Sequence, residues 1–137
     1  KLINLLTRFP DVRVLLDHLA RPNLADGHPY EAAAPLFGLA GHAGVHLKLT
    51  NRTIAEAARG ASTPEAFFPR ILSDFGAQRI AWGSNYPAAE GTLAALLVEA
   101  RGALSMLSDS ERAWIFGGTA RAIYPALVGD PPADAKA

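Results

Sequence analysis

Three short apolar segments recur along the chain at nearly equal distances, and a helical pattern follows each of them. The segments begin at positions 12, 45 and 79, at intervals of 33 and 34 residues. They are rich in β-branched and aliphatic residues, which is typical of buried parallel strands. We therefore predict strands over residues 12–17, 45–50 and 79–84. Strands that alternate with helices predict parallel βαβ units with right-handed crossovers.

The helical patterns between these segments differ in how clearly they begin and end. Residues 1–9 place their leucines at helical spacing, and an alanine-rich stretch predicts a helix over about 29–41. Pro35 should kink or restart that second helix, because proline lacks the N–H that an inner turn needs.

Helix starts are clearer in the second half of the chain. Thr63 followed by proline predicts an N-cap for a helix that runs to Phe75. A further helix is predicted over about 91–107. Ser108 and Glu111 have the spacing of a capping box, which opens a short helix that the two glycines at 117–118 should break.

The strand period is that of a (β/α) barrel, whose full form needs eight units and about 250 residues. This chain has 137 residues, and three strands cannot close a barrel. We therefore expect an α/β domain over residues 1–128 that forms a portion of a (β/α)8 TIM barrel, with the other strands outside this chain. Residues 129–137 have the composition of a disordered tail.

Composition limits the classes of partner. Thirteen basic and thirteen acidic side chains give a formal net charge of zero, which argues against nucleic acid or an anionic membrane surface. The absence of cysteine excludes disulfides and thiolate metal sites and suits a reducing compartment. No segment approaches the apolar length of a membrane span, and the opening residues lack the architecture of a secretory signal. We expect a cytoplasmic protein with a small-molecule substrate.

Chemistry-bearing residues stand where the predicted strands end. In parallel barrels the active site lies at the C-terminal ends of the strands. His18 follows the first strand, Lys48 lies near the end of the second, and Asn85 follows the third. Side chains alternate along a strand, so we expect these three to converge on one pocket, while Ile80 and Trp82 point to the helices.

Each candidate also has a structural interpretation. His18 could be a hydrogen-bonded core histidine, and Lys48 could be a buried cation that needs an anionic partner or a side chain that snorkels to the rim. Arg21 and Arg52 lie on loops that follow strands, where most arginines are solvated. Tyr86 could donate a hydrogen bond, stack on a ring, or only pack its loop.

The runs at the three strand ends resemble the amidohydrolase-related family. They are DHLARP at 17–22, KLT at 48–50 and WGSNYP at 82–87, and the closing GGTARAIYP is similar to that family's final turn. The family pattern has glycine where this chain has Ala20, and asparagine where it has Thr119. The resemblance implies that these are the last three strands of a TIM barrel. It also implies hydrolysis of a C–O or C–N bond in a small anionic substrate such as a lactone, as in 2-pyrone-4,6-dicarboxylate lactonases.

Asn85 is the departure from that pattern with the largest consequence. Metal-dependent members bind the ion through His-x-His on the first strand, a further histidine, and an aspartate on the eighth strand; this chain lacks the His-x-His motif and has Asn85 at the aspartate position. An amide cannot take a proton from water, although it can donate through its NH₂ group. We therefore expect a metal-independent enzyme with no metal ligand or cofactor in this chain, while a divalent metal such as zinc stays open for the full-length protein. A histidine such as His18 would then serve as base.

The resemblance assigns roles residue by residue. His18 and Asn85 are the expected catalytic residues, and Lys48, Arg52, Tyr86 and Arg21 are the expected substrate-binding residues. A decarboxylase that uses His18 as proton donor, or a non-catalytic barrel that binds a ligand or partner, stays open. Exposed strand edges should require the missing N-terminal barrel half or a homo-oligomer, so the fragment alone should aggregate and lack activity.

Overall fold

The computed structural model describes residues 1–128, and the tail predicted at 129–137 lies outside the described residues. Three parallel strands form one sheet in the order β1-β2-β3. The strands are β1 Val14–Leu16, β2 Val45–Leu49 and β3 Ile80–Trp82. The predicted α/β fold with parallel strands is confirmed. Each strand is shorter than predicted, because the polar residues at its ends belong to turns.

Helices connect the strands and continue after β3. They are α1 Leu2–Arg8, α2 Ala34–Phe37, α3 Asn51–Ala57, α4 Pro64–Phe75, α5 Leu93–Ala103, α6 Asp109–Ala113 and α7 Thr119–Ile123. The predicted caps form, since Thr63 Oγ1 accepts a hydrogen bond from the Ala66 N–H at 3.2 Å and Ser108 with Glu111 makes a capping box. Over residues 1–128, helix length and apolarity fall short of what a membrane crossing requires.

Three helix predictions need correction. The alanine-rich segment forms only a 3₁₀ turn at Glu31–Ala33 and the short α2, which restarts near Pro35 as expected. α3 follows β2 directly and was not predicted. The glycines at 117–118 do not break the chain's last helix, because a π-helical turn at Trp114–Gly118 joins α6 to α7. Gly118 lies so close to the indole of Trp114 that a Cβ there would come within 2.7 Å of it.

The two faces of the sheet have different partners. On β2, Val45, Leu47 and Leu49 are almost completely buried against the helices, whereas His46 and Lys48 are half-buried on the opposite face. β2 is therefore apolar on one face only, whereas β1 and β3 consist of apolar residues. The predicted orientation of Ile80 and Trp82 toward the helices is confirmed. Ile80 is buried, and the Trp82 ring packs 5.7 Å from that of Phe116.

Candidate active site at the strand ends

The chain leaves β1 through a left-handed turn. His18, Leu19, Ala20 and Arg21 have φ values of 51°, 52°, 60° and 55°. Each non-glycine residue in this conformation costs roughly 1–2 kcal/mol, and such strain clusters at functional sites. Because β1 ends at Leu16, this turn rather than strand alternation sets the direction of His18.

Four side chains at the ends of β1 and β2 form one set joined by hydrogen bonds and ion-pair contacts, which we call the strand-end cluster: Asp17, His18, Lys48 and Thr50. Lys48 Nζ lies 2.9 Å from Asp17 Oδ1, and His18 Nε2 lies 3.3 Å from Asp17 Oδ2. His18 Nδ1 lies 2.8 Å from Thr50 Oγ1. The structure thus brings His18 and Lys48 together through a carboxylate between them.

Sequence reasoning did not select Asp17 or Thr50 as site residues. A signal for Asp17 was present, because a partly buried lysine needs an anionic partner and Asp17 is the acidic residue at the end of the neighbouring strand. Thr50 carried no comparable signal. Its role depends on the turn that brings the His18 ring against β2.

The cluster keeps Asp17 ionised. The hydrogen bond from Lys48 is the largest cause and lowers the pKa of the Asp17 carboxyl; burial acts in the opposite direction, and the charges of Lys48 and His18 add to the lowering. The Asp17 side chain is 58% exposed, while those of Lys48 and His18 are 27% and 11% exposed. An ionised carboxylate that water can reach therefore lies between two largely covered partners.

β3 contributes space to the cluster. A Cβ built on Gly83 would lie 2.7 Å from Lys48 Cε and 3.4 Å from Lys48 Cδ. The lysine stem therefore lies against the backbone at the end of β3, and a larger residue at position 83 would displace the end of that side chain. From there its ammonium group reaches Asp17 at the end of β1.

A cavity of about 300 Å³ opens beside the cluster, between the turn after β1 and the start of α3. Arg21 and Arg52 both border it, and both side chains are exposed. Two guanidinium groups can bind a carboxylate through paired hydrogen bonds. The cavity is lined by His18, Arg21, Pro22, Asn23, Arg52, Thr53 and Glu56.

Asn85 and Tyr86 do not join these groups. Both are exposed, and neither lines the cavity. Asn85 has φ 56°, so the backbone turns away from the line of β3 two residues after Gly83, and strand alternation no longer predicts its direction. Within residues 1–128 the Asn85 side chain makes no hydrogen bond, whereas the Tyr86 N–H donates to Ser84 Oγ at 3.1 Å.

Asn51 links β2 and β3 behind the cluster. Its Oδ1 accepts a hydrogen bond from Trp82 Nε1 at 3.2 Å, and its Nδ2 donates to Leu96 O and Glu99 Oε2, each at 2.9 Å. Because an indole only donates and a carboxylate only accepts, the orientation of this amide follows from its partners. Asn51 thereby fixes Thr50, its neighbour in the chain, relative to the end of β3.

The described side chains do not fit a metal ion by themselves. Across residues 1–128 no three histidine, cysteine or acidic side chains group closely enough to hold one. The Lys48 ammonium lies directly against Asp17, where it competes with any cation, and both ring nitrogens of His18 have protein partners. A metal centre would require ligands from beyond these residues.

Comparisons with known proteins agree on one family. The Amidohydro_2 model, described as amidohydrolase, matches residues 1–126. An L-fucono-1,5-lactonase from Burkholderia ambifaria is 31% identical over 124 residues, which cover 85% of this chain and 43% of that protein.

Two crystal structures share the fold. An amidohydrolase from Burkholderia multivorans with bound zinc is 27% identical, with a TM-score of 0.67, over 89% of this chain and 47% of its own. A Pseudomonas putida protein, provisionally described as a 2-pyrone-4,6-dicarboxylic acid hydrolase, is 22% identical with the same TM-score, over 89% of this chain and 46% of its own. The chain thus spans less than half the length of these proteins.

Proposed function

The chain belongs to the Amidohydro_2 family of amidohydrolases, and from that premise we propose that the full-length protein hydrolyses a small anionic lactone without a metal ion. The observation that carries this proposal is the strand-end cluster beside a cavity with two arginines. Opening a lactone needs a group that takes a proton from water, a positive group near the developing oxyanion, and contacts that hold the substrate. The cluster and the cavity supply all three kinds of group.

The proposed roles follow the positions of the side chains. The Asp17–His18 pair exchanges protons with water and with the leaving oxygen, and Lys48 stabilises negative charge beside them. Arg21 and Arg52 bind an anionic group of the substrate in the cavity. Asn85 and Tyr86 lie on the loop after β3, from which an amide and a phenol can donate hydrogen bonds to a bound substrate.

The lactone ring and the negative charge of the proposed substrate are supported by separate observations. The 31% identical relative is named for a lactone, which supports the ring C–O bond as the bond that breaks. The negative charge of the substrate is supported by this chain's own positive groups: Arg21 and Arg52 line the cavity, and Lys48 lies against Asp17 in the strand-end cluster. An uncharged sugar lactone would leave the two guanidinium groups without a partner.

Metal independence rests on the donor set rather than on the comparison. One structural relative carries zinc, yet in this chain a lysine ammonium lies on the available carboxylate. We expect the purified full-length protein to contain less than one zinc per chain and to keep its rate after treatment with a chelator. We also expect the reaction to take place in the cytoplasm.

Paired substrates test the proposal. Full-length protein is assayed with L-fucono-1,5-lactone, which is neutral, and with 2-pyrone-4,6-dicarboxylate, which is anionic, by following product acid. We expect a higher kcat/KM for the anionic lactone, and a higher KM for that substrate alone when Arg21 and Arg52 are both changed to glutamine.

Other results would change the assignment. Preference for the neutral lactone would overturn the anionic substrate class. Carbon dioxide release would indicate the decarboxylase alternative. Ligand binding without turnover of either lactone would indicate a binding protein.

A further inference from the structure

We propose that Asp17 is the general base of this reaction and that His18, whose Nε2 lies 3.3 Å from Asp17 Oδ2, orients it. This inference rests on the proposed function, because a base requires a hydrolysis to serve. It follows from counting the hydrogen-bond donors and acceptors of the strand-end cluster. Neither sequence patterns nor the comparisons assign Asp17 a role.

His18 has no free lone pair in the neutral state. A carboxylate only accepts hydrogen bonds, so the contact between His18 Nε2 and Asp17 Oδ2 places the ring proton on Nε2. Nδ1 is then the acceptor, and the Thr50 hydroxyl 2.8 Å away donates to it. Thr50 is buried, with 1% of its surface exposed, so water cannot easily replace it. The imidazole is therefore a hydrogen-bond donor toward the open side of the site.

Asp17 has room for water. Its Oδ1 accepts from Lys48 Nζ at 2.9 Å and from the His18 backbone N–H at 3.2 Å, while its Oδ2 lies 3.3 Å from His18 Nε2. A carboxylate offers about four lone-pair positions, so Oδ2 can accept one further hydrogen bond. More than half of the Asp17 side chain is exposed, and a water can occupy that position.

The carboxylate that lines the cavity itself is a weaker candidate. Glu56 is already paired with Arg59, whose Nη1 lies 3.0 Å from Glu56 Oε1. Within the described residues Glu56 has no hydrogen bond to the strand-end cluster. Asn85 is excluded as a base because an amide nitrogen carries no available lone pair.

The step conserves atoms and charge. Asp17 Oδ2 takes a proton from water as the water oxygen bonds to the lactone carbonyl carbon, and the carbonyl π electrons move to the oxygen. The oxyanion then collapses and breaks the bond between the carbonyl carbon and the ring oxygen. The proton held by Asp17 passes to that ring oxygen, which gives a hydroxy acid and restores the carboxylate.

Lys48 sets the pH range in which Asp17 works. The charged groups that face Asp17 are Lys48 from β2 and His18 from its own turn, and the neighbours of Lys48 on the β3 side, Ala81 and Gly83, carry no charge. Lys48 lowers the pKa of Asp17. The acid limb of kcat/KM should therefore lie below the ordinary range of an aspartate, and removing Lys48 should move it to higher pH.

The first test compares two aspartates at opposite ends of β1 in the full-length protein. Asp17→Asn should lower kcat by roughly 100-fold or more, the usual effect of losing a general base, with KM little changed. Asp11→Asn, an exposed aspartate before the strand, is the matched control and should keep the wild-type rate. Thermal unfolding of both variants checks that the fold is retained.

The second test uses readouts that a structural role would not change. Formate should partly restore the rate of Asp17→Ala by replacing the missing carboxylate, and acetate should do so less well because it is larger. In Lys48→Met the acid limb of the normalised kcat/KM profile should move upward in pH.

The outcomes separate two failures. If the wild type opens lactones while Asp17→Asn stays within about tenfold of it, or if formate restores nothing, the Asp17 assignment is overturned and the proposed function stands. If the wild type opens neither lactone, both proposals fail. A folded Asp17→Asn with a collapsed rate, together with formate rescue, supports the base assignment.

Discussion

The end of β3 and the ends of β1 and β2 differ in how their polar groups are held. Asp17, His18, Lys48 and Thr50 are joined by contacts of 2.8–3.3 Å. Asn85, on the loop after β3, is exposed and makes no side-chain hydrogen bond within residues 1–128. Preorganised groups contribute most to catalysis. The difference therefore indicates that the chemistry of this chain lies at β1 and β2, with β3 supplying space and substrate contacts.

The contrast gives Asn85 a physical context. A carboxylate at position 85 would be exposed on a turn, whereas the carboxylate at position 17 is fixed by a lysine and a histidine. Under the proposed function, an amide at 85 is tolerated because the proton-accepting group lies on β1. Four changes can break or sharpen this comparison.

The largest effect is expected for His18→Asn in the full-length protein. Asparagine tolerates the positive φ of this position, so the turn should persist while the imidazole that orients Asp17 is lost. We expect kcat to fall by about 100-fold. His46→Asn removes a histidine whose side chain, within residues 1–128, hydrogen-bonds Gly44 O just before β2 and no other group, and it should leave kcat unchanged. If both variants lost the same amount of kcat, the result would contradict the proposed division of roles between the ends of β1 and β2 and the end of β3.

Asn51→Leu breaks the link between the two regions. The change leaves Trp82 Nε1 and Leu96 O without their partner, and an unpaired buried polar group costs about 1–3 kcal/mol. We expect the free energy of unfolding to fall by about 2 kcal/mol, measured by urea denaturation. Glu99→Gln keeps an acceptor for Asn51 and should lose far less. If Asn51→Leu left the free energy of unfolding unchanged, the two regions would be independent.

Gly83→Ala tests the approach of β3 to the lysine. The new Cβ would meet Lys48 Cε at 2.7 Å, so the ammonium should move from Asp17. A lost charged hydrogen bond is worth about 1.5 kcal/mol or more, and we expect kcat/KM to fall by roughly tenfold. Gly102→Ala, where a Cβ meets nothing within 4 Å, is the control. If the acid limb of the kcat/KM pH profile stayed unchanged in Gly83→Ala, the expected displacement of Lys48 from Asp17 would be contradicted.

Asn85→Asp should have the smallest effect. Its exposure and positive φ suit either residue, and surface changes away from a special feature stay within about 0.5 kcal/mol. We expect kcat/KM within about threefold of the wild type and no gain of zinc by elemental analysis. A large gain in rate together with bound zinc would make the end of β3 the reaction centre.

Sequence periodicity predicted the strands and their parallel order because burial on a sheet imposes a pattern that extends over many residues. It did not predict α3, whose first residue is the polar Asn51, because that residue is buried through hydrogen bonds rather than through apolar contact. The site was predicted in part, with His18 and Lys48 chosen and Asp17 missed. Alternation fails where φ becomes positive, at His18 and at Asn85, and the residue sequence alone did not reveal those turns.

The left-handed turn after β1 affects how many destabilising substitutions this protein can tolerate. Ala20 has φ 60° and stands where the resembling pattern has glycine, which adopts that conformation without a steric penalty. Alanine at this φ lowers the stability of the fold by up to about 1 kcal/mol, and Ala20→Gly, which removes one methyl group, would recover that stability. In directed evolution of the neighbouring cavity, Ala20→Gly would provide a margin against destabilising substitutions.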